Sequence, residues 1–176
     1  MAEYKMLNIF ILLFIIQICF AKPQPNPSDD NGNRLITQNF KLTTIIRFNN
    51  LMKPFGDKCV DISHQILKEP SLENSNEEEI LEFKQNLTQL IEDYESTNDL
   101  RTNLESLDIF TNILENYMEL TEEQLTENSK FIKNILYQYK CKEMNETFLT
   151  FFELFEKVFK EQFEEVKEHL DTASLE

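Results

Sequence analysis

The chain has 176 residues, 41% of them apolar and 28% charged, and its 32 acids against 17 bases leave a formal net charge of −15 at pH 7. Such an excess of acid argues against nucleic acid, whose phosphates need clustered Lys and Arg, and against adsorption to anionic lipid. Two glycines, no tryptophan and no proline after Pro70 favour long helices over sheets joined by tight turns.

Residues 1–21 read as a secretory signal peptide. Lys5 gives a weakly basic start, residues 6–20 are almost wholly apolar, and "CFA" at 19–21 sets small side chains where a signal peptidase reads them. The apolar run is shorter than the roughly 20 residues a spanning helix needs. Cleavage after Ala21, no stable membrane insertion and a secreted, extracellular chain are therefore expected. Residues 22–33, "KPQPNPSDDNGN", alternate proline with polar residues and offer no apolar anchor, which predicts a disordered tail. A single domain is expected over 34–172, with a C-terminal tail at 173–176.

Helical spacing then runs to the end. A first helix points Leu35, Leu42, Ile45, Ile46 and Met52 inward and stops at Pro54 and Gly56. Asp57 caps a short second helix with Cys59, Ile62, Ile66 and Leu67 inward, although the two can also be one element bent at Pro54. "SNEE" at 75–78 has the form of a capping box and opens a third helix with Ile80, Phe83, Leu87, Leu90, Ile91 and Tyr94 on one face. Asn98 caps a fourth, carrying Leu100, Leu104, Leu107, Phe110, Leu114 and Tyr117. "TEEQ" at 121–124 is a second capping box, opening a fifth with Leu125, Ile132, Ile135, Leu136 and Tyr139. The sixth is rich in phenylalanine and runs to about Leu170. Short connections make neighbours antiparallel, so the expected fold class is all-α, a single antiparallel bundle of about five to six helices.

The charge is uneven. Residues 22–70 hold seven bases and five acids, residues 71–127 two bases and sixteen acids, and residues 128–176 seven bases and ten acids. The third and fourth helices thus carry nearly all the excess, as a solvated face or as a surface for a basic partner.

Once Cys19 leaves with the signal, Cys59 and Cys141 remain. In an oxidising compartment an even pair suggests one disulfide, worth roughly 4 kcal/mol for a loop of about 80 residues; two buried thiols or an intermolecular bridge are the alternatives. "NLT" at Asn86 and "NET" at Asn145 are N-glycosylation sequons, meaningful only on a secretory route. Asn145 is expected at an exposed helix start and Asn86 at the edge of an apolar stripe.

Six phenylalanines, Phe148, Phe151, Phe152, Phe155, Phe159 and Phe163, crowd the last helix. At 100° per residue they share a stripe about 140° wide. The stripe is read first as core, then as the lining of a pocket for a small apolar, lipid-like ligand, and last as a surface for a partner or membrane.

Catalytic signatures are missing. There is no glycine-rich phosphate loop, no G-x-S-x-G and no H-E-x-x-H, and His64 and His169 are the only histidines. No catalytic residue, cofactor or metal ligand is singled out, and the chain is expected not to be an enzyme. The expected function is that of a secreted, acidic, glycosylated helical protein that binds an unknown protein partner in extracellular fluid. A carrier of a small apolar ligand and a cytokine-like receptor ligand are the alternatives.

Overall fold

The computed structural model describes residues 31–73, 75–97 and 99–173. The expected signal peptide and residues 22–30 of the expected tail lie outside these. The described residues form six helices and no strand: α1 (Asn31–Leu67), α2 (Pro70–Glu73), α3 (Glu78–Ser96), α4 (Leu100–Met118), α5 (Glu127–Gln138) and α6 (Cys141–Ala173). The all-α class and the helical bundle are therefore present. Asn31 to Asn33, read as the end of the tail, are the first turn of α1.

The chain divides into two compact units, and both boundaries fall inside helices: Met52–Leu149 is one, and the segments ending at Leu51 and beginning at Thr150 make the other. The first unit pairs the early part of α1 with the later part of α6. Its core is Thr44, Phe48, Phe152 and Phe159. In the second unit α3, α4 and α5 pack on one another, burying Ile80, Phe83, Leu87, Leu90, Phe110, Ile113, Leu114, Ile132 and Leu136 with Ile62 and Ile66 of α1. Each fully buried aliphatic or aromatic side chain contributes roughly 1.5–3 kcal/mol against exposure.

Three local expectations are corrected. First, α1 does not stop at Pro54 and Gly56 but runs through both. Proline inside a helix removes a hydrogen bond and costs about 3 kcal/mol. Here the flanking Met52, Phe55, Cys59 and Val60 are buried, and their burial outweighs that cost. Second, "SNEE" forms no capping box. Ser75 is drawn back to α2 by its N–H donating to the Leu72 carbonyl at 3.3 Å, and α3 starts behind Glu77 with no side-chain cap. Third, "TEEQ" opens no helix: it closes a turn with one of the two reciprocal bonds of a capping box. The Thr121 N–H donates to Gln124 Oε1 at 2.9 Å, and the Gln124 N–H donates to the Thr121 carbonyl at 3.0 Å. Helix α5 begins later, where Thr126 Oγ1 accepts from the Ser129 N–H at 3.0 Å. The cap of α4 is Asp99, which accepts from the Thr102 N–H at 3.0 Å; Asn98 lies outside the described residues.

Between α5 and α6 the chain turns sharply at Lys140, whose φ of 55° is left-handed. A non-glycine residue held there costs of order 1 kcal/mol or more, and the turn sets Cys141 directly in the core.

Gly56 governs the seat of α3 against α1. A Cβ at Gly56 would lie 2.6 Å from Tyr94 Cζ. The Tyr94 hydroxyl lies 3.1 Å from Asp57 Oδ1 and 3.3 Å from the Lys53 carbonyl. Glycine to alanine within a helix ordinarily gains about 1 kcal/mol, whereas forcing atoms into a filled site costs about 1–3 kcal/mol. The Tyr94 ring makes the second effect the larger. Gly56→Ala is expected to lower stability in urea by up to about 2 kcal/mol; a stabilised variant would contradict this packing.

Candidate binding surfaces and the aromatic seam

The phenylalanines of α6 meet a matching series on α1. In the first unit Phe40 stacks on Phe159 at 5.7 Å between ring centres and leans on Phe163 at 6.2 Å. Phe48 lies 5.5 Å from Phe155, and Arg47 Nη1 donates to Gln162 Oε1 at 2.7 Å. In the second unit Phe55 stacks on Phe148 at 3.9 Å, with planes 15° apart. Along α6 itself the rings of 152 and 155, 155 and 159, and 159 and 163 follow at 6.5, 6.4 and 6.1 Å. Such pairs add about 0.5–1.5 kcal/mol beyond the area they bury.

Five of the six expected stripe residues therefore belong to this seam. Phe148, Phe152 and Phe159 are buried, and Phe155 and Phe163 are half-buried. Phe151 is the exception, 56% exposed beside Leu154 at 58%. The buried stripe is narrower than the wheel implied, and Phe151 falls off its edge. His169, at the same angle as Phe151, is exposed as well.

On α1 the inward face differs from the expected one, apart from Met52, which is buried. Leu35, Leu42 and Ile46 are 58%, 59% and 51% exposed, and Ile45 is half-buried. Thr44 and Phe48 are buried in their place, with Phe40 half-buried. The signal was legible: Phe40, Thr44, Phe48, Met52, Phe55, Cys59, Ile62 and Ile66 recur at steps of three and four, continuous through Pro54.

Cys59 and Cys141 are both buried free thiols, so the expected disulfide is absent: no bond links them. The two are near enough for charge on Cys141 to act on Cys59. Burial pushes Cys141 up to about 12. Burial, with Cys141 second, pushes Cys59 well above the ordinary thiol value. Both sequon asparagines are half-buried within helices. Asn86 adjoins the fully buried Leu87 in α3, at the stripe edge as expected. Asn145 lies inside α6, which begins at Cys141, and not at a helix start.

The polar clusters are structural ties. Glu79 accepts from the Thr126 hydroxyl at 2.7 Å and from the Ser129 hydroxyl, fastening α3 to the positive N-terminal end of α5. Glu69 accepts from the Tyr139 hydroxyl. Lys133 Nζ donates to the Leu120 carbonyl at 3.2 Å and pairs with Glu122 at 3.2 Å. His64 Nε2 lies 3.1 Å from Glu95 Oε1. Burial first, then Asp57, raises the Tyr94 phenol to about 12, and burial first, then Glu79 and Glu82, raises Tyr117 to about 12. Among the described residues no group of three or more His, Cys, Asp or Glu is placed to hold a metal ion, and no helix is long and apolar enough to cross a membrane.

These shifts set a pH dependence. The folded chain holds its thiol and phenol protons more tightly than the unfolded chain, so their contribution is complete below the unfolded values, 9.0 for Cys141 and 10.0 for Tyr94 and Tyr117, and is lost as pH rises through about 12. The urea midpoint is expected to fall between pH 9 and 12, and a thiol reagent at pH 8 to label Cys59 and Cys141 only after unfolding. Rapid native labelling, or two cysteines still unreactive in denaturant without reductant, would contradict the assignment.

Compared with protein-family models, with curated proteins and with solved structures, the chain finds no match in any of the three.

Proposed function

We propose that this is a secreted, acidic, non-enzymatic helical protein that acts by binding a protein partner in extracellular fluid. The observation that carries the reading is the set of large apolar side chains that the first unit leaves in solvent: Leu35, Leu42 and Ile46 on α1, and Phe151 and Leu154 on α6. Single exposed hydrophobes are ordinary, but repeated ones on one helix face mark a contact surface. A cytokine-like receptor ligand is a narrower form of the same reading.

The chemistry of the buried groups supports a binding role over catalysis. The thiols of Cys59 and Cys141 are shifted away from the thiolate that a nucleophile requires. Ring-on-ring packing weighs against the apolar-ligand carrier, because Phe55 and Phe148 at 3.9 Å fill each other's space. Secretion follows from the reading of residues 1–21, and on that route Asn86 and Asn145 become glycan acceptors.

A photo-crosslinking residue placed at Phe151 tests the reading in extracellular fluid from the protein's own source. One discrete adduct is expected, reduced by excess unlabelled protein and absent when the same group replaces Glu92, an exposed residue of α3. An adduct pattern identical at both positions would sink it.

A further inference from the structure

The outward face of α1 has a regular composition of its own. Leu35, Asn39, Leu42, Ile46 and Asn49 recur at steps of four and three, and all five are exposed. Taking Phe48 as 0°, they lie between about 100° and 180° on the helical wheel, on the side away from Phe48 and Thr44. Leucine, isoleucine and asparagine at this spacing are what one helix presents to another in a two-stranded seam, where a polar asparagine fixes register.

The face also carries no charge. Residues 31–51 hold Arg34, Lys41 and Arg47 and no acid, in a chain whose net charge is −15. Copies of such a protein repel one another over most of their surface, and a contact between them has to use a face free of carboxylates. The outward stripe of α1 meets that condition. An acidic partner or an anionic lipid surface would instead be met by cations flanking the apolar stripe. Lys41 and Arg47 lie off it, near 20° and −100° on the same wheel.

We infer that this stripe of α1 docks against the same stripe of a second copy of the chain. The inference rests on the reading that the exposed face is a contact surface, and it names the occupant. A contact between identical patches is self-complementary about a two-fold axis. From Leu35 to Asn49 the seam is about 22 Å long, two heptads, fewer than the three or four of a sustained coiled coil. The dimer is accordingly a weak, concentration-dependent one.

Sedimentation equilibrium of the purified secreted chain tests the inference. The mass-average value is expected to climb from one chain toward two between low and high micromolar concentration. Leu42→Glu with Ile46→Glu is expected to hold it at one chain with unchanged helicity, since neither side chain is in the core. L42C is expected to yield a covalent dimer on mild oxidation, while E92C yields none. One-chain mass at every concentration overturns the second copy. If a photo-crosslinker at Leu42 then captures a different protein in a competable way, the partner-binding reading survives without it; if no position of the first unit captures anything, both readings fail. A dimer untouched by the double glutamate variant also overturns the inference, because the contact then lies elsewhere.

Discussion

The antiparallel seam between α1 and α6 is the interaction on which the rest of the structure depends. Each compact unit contains part of both helices, and in each the contact is made by phenylalanine against phenylalanine: Phe40 with Phe159 and Phe48 with Phe155 in one, Phe55 with Phe148 in the other. Burial of a ring contributes roughly 2–3 kcal/mol and ring pairing about 0.5–1.5 kcal/mol more. Against a net stability that is about 5–15 kcal/mol for a typical domain, a few such pairs decide whether the helices stay together. They also explain how α1 continues through Pro54. The proline interrupts the hydrogen-bond ladder where Met52 and Phe55 are locked into core positions on either side, so the helix has no lower-energy place to break.

The same division of labour shapes the surface. Acids concentrate in residues 71–127, sixteen against two bases; one of them, Glu79, ties α3 to α5, and Glu69, just before that stretch, anchors Tyr139. The remainder keeps the second unit well solvated and repels another copy. The early part of α1 is the opposite case, with one uncharged stripe of polar and apolar residues outward and no acid at all between 31 and 51. A long helix needs one apolar face to hold its place. Having Leu35, Leu42 and Ile46 on a second face is surplus to folding and therefore points to association.

Much of the second unit was legible in the sequence, because α3, α4 and α5 each show one apolar stripe with no competing one. Ile80, Phe83, Leu87, Leu90 and Ile91 are all buried as the spacing implied, and so are Leu107, Phe110, Leu114, Ile132, Ile135 and Leu136. In α1 two stripes compete, one of Leu and Ile and one of Phe, and the aliphatic one looks inward until the partner helix is known. The decisive fact is tertiary: only the Phe stripe of α1 has rings opposite it on α6. Phe151 fails for a related reason, since a wheel gives angles but not the width of the groove that receives them. The capping boxes open no helix because the Ser75 N–H donates back to the Leu72 carbonyl and its hydroxyl accepts from the Glu77 N–H, while Thr121 and Gln124 close a turn that does not continue as a helix. The thiol pair was located but not its state: Cys59 and Cys141 share a buried neighbourhood without being bonded.

A double-mutant cycle on Phe55 and Phe148 measures the seam directly. Each ring is replaced by leucine, alone and together, and unfolding is followed in urea. If the two rings hold each other in place, the single losses exceed what the double variant implies, with a coupling of about 0.5–1.5 kcal/mol. Losses that simply add would mean that the rings are buried side by side without supporting one another, and the aromatic seam would not be what holds α1 to α6.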